Sequence, residues 1–188
     1  MFNVGIIGCG LIGHKRSKSL GLDCNLFGVT DIDIKKAAKL ASLYKNVKVF
    51  PNSESLIKDP NIDILIISTL HDSLAILTEL AVKFNKHVLV EKPAARNSKE
   101  LSKVLKKVKS SNSKVHVGFN HRYHKAFLKA KQIVDDGILG ELMFIRGRYG
   151  HGARLGYEKE WRANFQLSGG GELIDQGPHL IDLSQWLF

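Results

Sequence analysis

Cysteine and long apolar runs are both scarce in this 188-residue chain, and each absence excludes a class of protein. Two cysteines, Cys9 and Cys24, are too few for a disulfide framework, which favours a reducing compartment. No apolar run approaches the length of a membrane span, and the N-terminus passes directly into a short strand pattern rather than a signal peptide. We therefore expect a cytoplasmic protein with no membrane partner.

Acidic residues are outnumbered by basic ones, 18 against 28, which gives a formal net charge of +10. Such a surplus can indicate nucleic-acid binding. Many of the lysines, however, alternate with an apolar stripe at helical spacing, formed by Leu101, Val104, Leu105 and Val108. Aromatic residues are not interleaved with these lysines, as a single-strand binder would require. We interpret the lysines as a solvated helix face and predict no nucleic-acid partner.

Short β-rich runs alternate with amphipathic helical runs up to about residue 118. Apolar strands such as the one at 63–68 suit a parallel sheet covered on both faces, so the alternation predicts an α/β, doubly wound fold. Asn97 followed by Glu100 resembles a capping box. The predicted strands are 3–8, 25–31, 47–50, 63–68, 87–91 and 114–118, and the predicted helices are 11–21, 33–44, 53–58, 72–84 and 98–110.

The pattern changes after residue 118. Apolar residues at helical spacing predict a helix around 126–134, which Gly137 ends. Residues 142–149 are typical of a strand, and a glycine- and arginine-rich loop follows them. We therefore predict two domains, 1–120 and 121–188.

The segment Gly8-Cys9-Gly10-Leu11-Ile12-Gly13 follows the first strand and opens the first helix. Gly8 suits a tight turn, Gly10 lets the backbone approach a pyrophosphate, and Gly13 lets the helix pack closely. Asp31 closes the second strand, where a carboxylate binds ribose hydroxyls and opposes a 2′-phosphate. The pattern predicts a dinucleotide site that prefers NAD to NADP. The alternative interpretation is a glycine turn in another α/β protein.

Two further segments carry residues suited to acid/base chemistry. Asp175, His179 and Asp182 fall on one face of a helix, and Pro178 fits its first turn or kinks it. A histidine can take an alcohol proton near neutral pH. Lys92 follows the fifth strand, where an ammonium can stabilise a developing alkoxide. The alternatives are an incidental histidine and a surface lysine.

The glycine segment, Glu91-Lys92-Pro93, and the run from Gly169 to Asp182 together resemble the glucose–fructose oxidoreductase / myo-inositol dehydrogenase (Gfo/Idh/MocA) family. The resemblance implies a Rossmann domain followed by the beginning of an α+β substrate domain. It implies that Lys92 and His179 act at the substrate hydroxyl, that Asp175 helps to hold the substrate, and that the Lys92–Pro93 peptide is cis.

The resemblance and the motifs together give a set of expected site residues. One departure from the family pattern lies after the fourth strand, where Leu70 and His71 follow Thr69 instead of a proline and a polar residue. His121 and His124 are three apart, but no third ligand stands at a recognisable spacing, so no metal site is predicted. The expected cofactor residues are Gly8, Gly10, Leu11, Ile12, Gly13, Asp31, Thr69, Glu91 and Lys92. The expected substrate residues are Asn120, Arg122 and Arg162, with His121 near the mouth of the site.

The expected activity is hydride transfer between the nicotinamide of NAD and a hydroxyl-bearing carbon of a sugar, polyol or nucleotide sugar. The nucleotide sugar is suggested by four arginines, a residue type suited to binding phosphate: Arg146, Arg148, Arg154 and Arg162. The alternative interpretation is that they are ordinary surface residues. Alternatives are a non-catalytic NAD-binding sensor and an NAD-using glycosidase of the same superfamily. Family members continue into a large antiparallel sheet, so we expect this chain to be a truncated, poorly active form of a homo-oligomer.

Overall fold

Strands and helices alternate through the first two thirds of the chain in the computed structural model, which describes residues 1–150 and 155–188. The described residues form two compact units, Met1–Val117 and Gly118–Phe188. The strands of the first unit are β1 (Phe2–Ile7), β2 (Cys24–Thr30), β3 (Lys48–Val49), β4 (Ile64–Ile67), β5 (His87–Val90) and β6 (Val115–Val117). Its helices are α1 (Leu11–Lys18), α2 (Ile34–Ala41), α3 (Ser53–Lys58), α4 (His71–Lys83) and α5 (Ser98–Lys109).

The six strands form one sheet in the order β3-β2-β1-β4-β5-β6. Every neighbouring pair is parallel. The strand order reverses between β1 and β4, which is the doubly wound order of dinucleotide-binding folds. The predicted α/β class is therefore confirmed. In such a sheet, ligands bind outside the carboxyl ends of the strands at this switch point.

The sheet is buried on both faces, as its apolar strands predicted. Leu65 and Ile67 of β4 belong to a cluster that includes Leu56 and Leu74 from the helices. Ile66, between them, belongs to a second cluster on the other face of the sheet. Successive side chains of a strand point to opposite faces, so an uninterrupted apolar run serves both clusters at once.

Helix starts follow the local capping signals. The Asn97 side chain accepts a hydrogen bond from the Glu100 backbone N–H at 3.0 Å, so Asn97 is the N-cap of α5. The Glu100 carboxylate accepts from the Arg96 backbone N–H at 3.0 Å, one residue before the cap. The predicted cap at Asn97 is thus confirmed. Glu100 bonds the backbone N–H of the residue before the cap, whereas a capping box would have it bond the N–H of the cap itself.

The second unit is mainly helical. Gly137, with φ of +69°, follows the end of its first helix, as predicted. Pro178 lies inside its last helix. The helices are α6 (Lys125–Asp135), α7 (Phe165–Ser168) and α8 (Glu172–Leu187), and 3₁₀ turns occur at Asn120–Tyr123, Tyr157–Lys159 and Trp161–Ala163.

The predicted strand at 142–149 is wrong, because residues 142–150 have no regular secondary structure. A strand is stabilised by backbone hydrogen bonds to a neighbouring strand. None of the strands in the described part of the chain pairs with this segment. Among residues 1–150 and 155–188, no helix has both the length and the hydropathy of a membrane span.

Candidate functional site

The glycine loop between β1 and α1 packs tightly against the end of β4. Gly8 has a φ of +94°, and a Cβ on it would lie 2.5 Å from the backbone oxygen of Ser68. A Cβ on Gly13 would lie 2.1 Å from the carbonyl oxygen of Gly8. Real Cβ atoms do not approach backbone this closely, so any side chain at either position would displace the loop. The geometry agrees with a turn at Gly8 and close helix packing at Gly13.

Gly10, the N-cap of α1, faces open space. A Cβ there would meet nothing within 4 Å. Its helix end has no side-chain cap and no acidic residue in the first turn. Leu11 and Ile12, which follow, are 72% and 38% exposed. The N–H groups of an uncapped helix start bind phosphate oxygens, so the residues present fit the pyrophosphate of a dinucleotide.

Asp31 follows β2, and two backbone amides fix its carboxylate. Oδ2 accepts from the Cys9 N–H at 2.6 Å, and Oδ1 accepts from the Asp33 N–H at 2.9 Å. A negative charge is thereby held directly against the glycine loop. The buried Cys9 thiol lies 3.4 Å from the Thr30 carbonyl oxygen, to which it donates. Burial, and then the charge of Asp31, raise the pKa of Cys9 to about 12, so this thiol stays neutral and unreactive.

The other expected cofactor residues of the first unit lie where β4 and β5 end. Thr69 follows β4 by two residues. Glu91 directly follows β5, and its backbone N–H donates to the Ile67 carbonyl at 2.9 Å. The Lys92–Pro93 peptide is cis, as the resemblance predicted. These positions share the carboxyl edge of the sheet with the glycine loop and Asp31.

An ion pair that the sequence did not reveal ties Glu91 to the helix after the glycine loop. Arg16 of α1 approaches Glu91 Oε1 with Nε at 2.6 Å and with Nη2 at 2.5 Å. The two side chains are 23% and 11% exposed. No local pattern could have predicted the pair, because the partners are 75 residues apart. A second missed contact is the Ser68 hydroxyl, which donates to the Gly8 carbonyl at 2.8 Å.

In the second unit, one face of α8 carries the predicted acid/base residues. Asp175, His179 and Asp182 are all buried, and they follow the spacing of one helical face. Pro178 is accommodated within this helix without moving His179 to another face. The sequence therefore predicted the shared face correctly.

Arg162 and Asp175 form an ion pair beside this face. Arg162 Nε donates to Asp175 Oδ2 at 2.9 Å, and the same oxygen accepts from Gln176 Nε2 at 3.1 Å. Arg162 also lies 3.3 Å from Glu160 Oε2. The predicted substrate residue Arg162 is thus placed next to the predicted catalytic residue Asp175, and its guanidinium balances the buried carboxylate.

Asp182 forms an ion pair with a second arginine, Arg122. Arg122, in the turn Asn120–Tyr123, donates from Nε to Asp182 Oδ2 at 2.8 Å, and its Nη2 contacts Oδ1. This hydrogen bonding raises the pKa of Arg122. Asn120, the other predicted substrate residue of this turn, is exposed.

His179 lies in an aromatic cluster. The ring of His121 is stacked on it, with centroids 3.8 Å apart and planes 15° apart. Phe119 and Tyr149 approach it edge-on, each with its centroid at 6.2 Å. The sequence placed His121 near the site but gave no signal for the stacking. Within the described part of the chain, no three His, Cys, Asp or Glu residues cluster as a metal site would require.

A cavity of about 220 Å³ adjoins the histidine pair in the second unit. Arg146 and Arg148, two of the arginines proposed for an anionic substrate, line it. Arg154 lies outside the described residues, as does His151. The remaining lining residues are mostly apolar: Phe127, Ile145, Gly147, Leu180, Leu183, Ser184 and Leu187, together with His121, Tyr149 and His179.

A parallel sheet in this order, with an open glycine loop at its switch point, defines a dinucleotide-binding Rossmann unit. The model of the GFO/IDH/MocA oxidoreductase family, NAD-binding Rossmann fold, matches residues 2–119. The model of the GFO/IDH/MocA C-terminal domain matches residues 127–188. The chain therefore belongs to the GFO/IDH/MocA oxidoreductase family, as the resemblance implied.

Curated relatives of this chain include several dehydrogenases. It is 29% identical over 200 residues to levoglucosan dehydrogenase from Pseudarthrobacter phenanthrenivorans, a match that covers 98% of this chain and 50% of that protein. It is 26% identical to myo-inositol 2-dehydrogenase from Thermotoga maritima, over 76% of this chain and 43% of that protein. The chain spans about half the length of the curated relatives it matches.

Solved structures show the same similarity. A levoglucosan dehydrogenase in complex with NADH and levoglucosan matches with a TM-score of 0.89 and 27% identity, covering 99% of this chain and 53% of that one. Myo-inositol 2-dehydrogenase from Lactobacillus plantarum matches with a TM-score of 0.88 and 26% identity, covering 99% of this chain and 56% of that one.

Proposed function

We propose that the protein is an NAD-dependent oxidoreductase, which transfers a hydride between nicotinamide and a hydroxyl-bearing carbon of a sugar, polyol or nucleotide sugar. The observation that carries the proposal is the face of α8 on which Asp175 and His179 are buried together. A histidine near a carboxylate is suited to taking the proton of an alcohol near neutral pH. Membership of an oxidoreductase family supports the redox class.

The cofactor site of the proposal is the carboxyl edge of the sheet. The N–H groups at the start of α1 would bind the pyrophosphate, and the open space at Gly10 would admit it. Thr69 and Glu91 would contact the cofactor from the ends of β4 and β5. When bound, NAD supplies the acceptor for the hydride that leaves the carbinol carbon.

The proposed preference for NAD over NADP rests on Asp31. Its carboxylate is fixed by backbone amides beside the glycine loop, where it can accept hydrogen bonds from the adenosine ribose hydroxyls. A 2′-phosphate at the same place would meet this negative charge. Lys35 and Lys36 lie on α2 and are exposed, so we assign them to solvent rather than to a phosphate.

The proposed chemistry divides the work between two residues. His179 accepts the proton of the substrate hydroxyl, and the Lys92 ammonium hydrogen-bonds the same oxygen as it gains carbonyl character. Asp175, which accepts a hydrogen bond from Arg162, helps to bind the substrate. In the reverse direction, His179 returns the proton to the oxygen.

The substrate class follows from the relatives, which are named for inositol and levoglucosan, both of them ring compounds with several hydroxyl groups. Arg146 and Arg148 beside the cavity favour a substrate that also carries phosphate, such as a nucleotide sugar.

The free thiols of Cys9 and Cys24 fit a reducing compartment, so we propose a cytoplasmic location. Assembly as a homo-oligomer stays a prediction.

The test is NADH formation, followed by absorbance, when the whole protein is incubated with NAD and myo-inositol, levoglucosan or a nucleotide sugar. His179→Ala and Lys92→Ala should each lower turnover by roughly 10²-fold or more, because each removes a group that acts in the transition state. NAD affinity, measured by calorimetry, should change little. The matched controls are His116→Ala and Lys99→Ala, which remove exposed residues of the same types. Near-normal turnover of either catalytic variant would contradict its assigned role.

A further inference from the structure

The stacked rings of His121 and His179 are the feature of the second unit that the proposed chemistry has not used. Their centroids are 3.8 Å apart, and their planes differ by 15°. His179 is 4% exposed, whereas His121 is only partly buried. The turn that carries His121 therefore covers the flat face of the proposed base and leaves His121 the more accessible of the two rings.

An ion pair beside the two rings helps to keep them in contact. Arg122, the next residue after His121, makes a two-pronged contact with Asp182, which lies three residues after His179 on the same face of α8. His121 and Arg122, which are adjacent in the turn, thus contact two residues of α8 that lie about one helical turn apart. An arginine fork on a carboxylate fixes orientation as well as distance. The backbone that carries the His121 ring is therefore held against α8 by the anchored arginine.

Stacking at this distance couples the protonation of the two rings. Two imidazolium charges about 4 Å apart repel strongly inside a protein, so the pair takes up its protons in two separate steps. Burial disfavours the charged form of a histidine, and His179 is the more buried ring. A proton on His121, the more accessible ring, would therefore oppose protonation of His179.

We propose that His121 is a positioning residue for His179: its ring fixes the plane of the His179 imidazole and keeps that imidazole neutral. The neutral form is the one that can accept a substrate proton. This inference rests on the proposed function of His179 as the base. It assigns to His121 no contact with the reacting atoms.

Other charged groups face the histidine pair, and they are common to every variant described below. Asp175 and Asp182 lie on α8 itself, and each is matched by an arginine, Arg162 and Arg122 respectively. Arg146, Arg148 and Tyr149 line the adjoining cavity. The carboxylates favour an imidazolium and the arginines oppose it. These groups are the same in every variant, so a change in the His179 titration comes from the change at His121.

The experiment is an NMR titration of the His179 imidazole in this chain without ligand, compared with His121→Phe. Phenylalanine keeps a stacked ring but cannot take a proton. The titration midpoint of His179 should rise by about one pH unit or more, because removal of a nearby positive charge favours the imidazolium. His121→Gln, which removes the ring, should also raise the midpoint, and it serves as the second variant if one of the two does not fold. His87 and His116 of the first unit should titrate as before.

An unchanged His179 midpoint in a folded variant would overturn the proposal, as would a His179 that stays neutral over the same pH range with and without His121. Circular dichroism of each variant checks that the helices are intact. No cofactor or substrate is present, so the result is independent of whether the protein binds NAD or oxidises a sugar. Failure of the proposed function would appear instead in the NADH assay and would leave this titration unaffected.

Discussion

Two glycines of the same loop have opposite surroundings, and this difference separates their roles. A Cβ on Gly13 would lie 2.1 Å from the carbonyl oxygen of Gly8, whereas a Cβ on Gly10 would meet nothing within 4 Å. Glycine at position 13 is required by the packing of the protein itself. The free space at Gly10 is what the proposed pyrophosphate site requires.

Gly13→Ala should lower the free energy of unfolding by about 1–3 kcal/mol, because the new methyl group overlaps backbone that cannot move independently. This loss exceeds the gain of roughly 0.5–1 kcal/mol that alanine usually brings to a helix. Gly10→Ala is the matched control: it should change the unfolding free energy by less than about 1 kcal/mol. Its NAD dissociation constant should nevertheless rise about tenfold or more, equivalent to about 1.4 kcal/mol. Urea denaturation and calorimetry measure the two quantities. A Gly13→Ala variant as stable as the unmodified chain would contradict the packing argument.

At the residue scale, the sequence predicted positions better than contacts. The spacing of Gly8, Gly10 and Gly13 after a strand located the loop, because such a motif is local. The hydrogen bond from the Cys9 N–H to Asp31 could not be predicted in the same way, nor could the stacking of His121 on His179. Side chains far apart in the chain meet only through the tertiary arrangement, which no local pattern records.

At the scale of elements, local signals succeeded where an element forms its own hydrogen bonds. The start of α5 at Asn97 was predicted from its cap. The predicted strand at 142–149 failed, because a strand depends on a partner elsewhere in the chain. Apolar residues of this segment, such as Met143 and Phe144, are typical of a strand, but without a neighbouring strand their side chains are exposed.

The pair of Arg16 and Glu91 connects two elements of the first unit, and its removal should weaken that unit. Arg16→Ala leaves a largely buried carboxylate without its arginine, which should lower the free energy of unfolding by about 1–3 kcal/mol in chemical denaturation. The matched control is Lys58→Ala, which breaks the exposed i,i+4 pair with Glu54. Exposed pairs contribute little, so the control should unfold at the same denaturant concentration as the unmodified chain. Equal midpoints for both variants would show that Arg16 does not stabilise the connection.

At the scale of the whole molecule, the order of strands and helices along the chain was enough to predict the sheet. Alternating β and α segments with apolar strands permit few topologies, and right-handed crossovers select the doubly wound one. The second unit was less predictable, because the one strand expected there is not formed. Family membership covers both units, through matches to residues 2–119 and 127–188.

We propose that this chain holds NAD at the carboxyl edge of its sheet and that Asp31 selects NAD over NADP. Calorimetric titration of the chain with each cofactor tests this most directly, with Asp31→Ala as the variant and Asp23→Ala, at an exposed aspartate, as the matched control. We expect the unmodified chain and Asp23→Ala to bind NAD more tightly than NADP. In Asp31→Ala the preference should shrink or vanish, because the carboxylate that binds ribose hydroxyls and repels a 2′-phosphate is gone. NADP binding by the unmodified chain that equals or exceeds NAD binding would contradict the account.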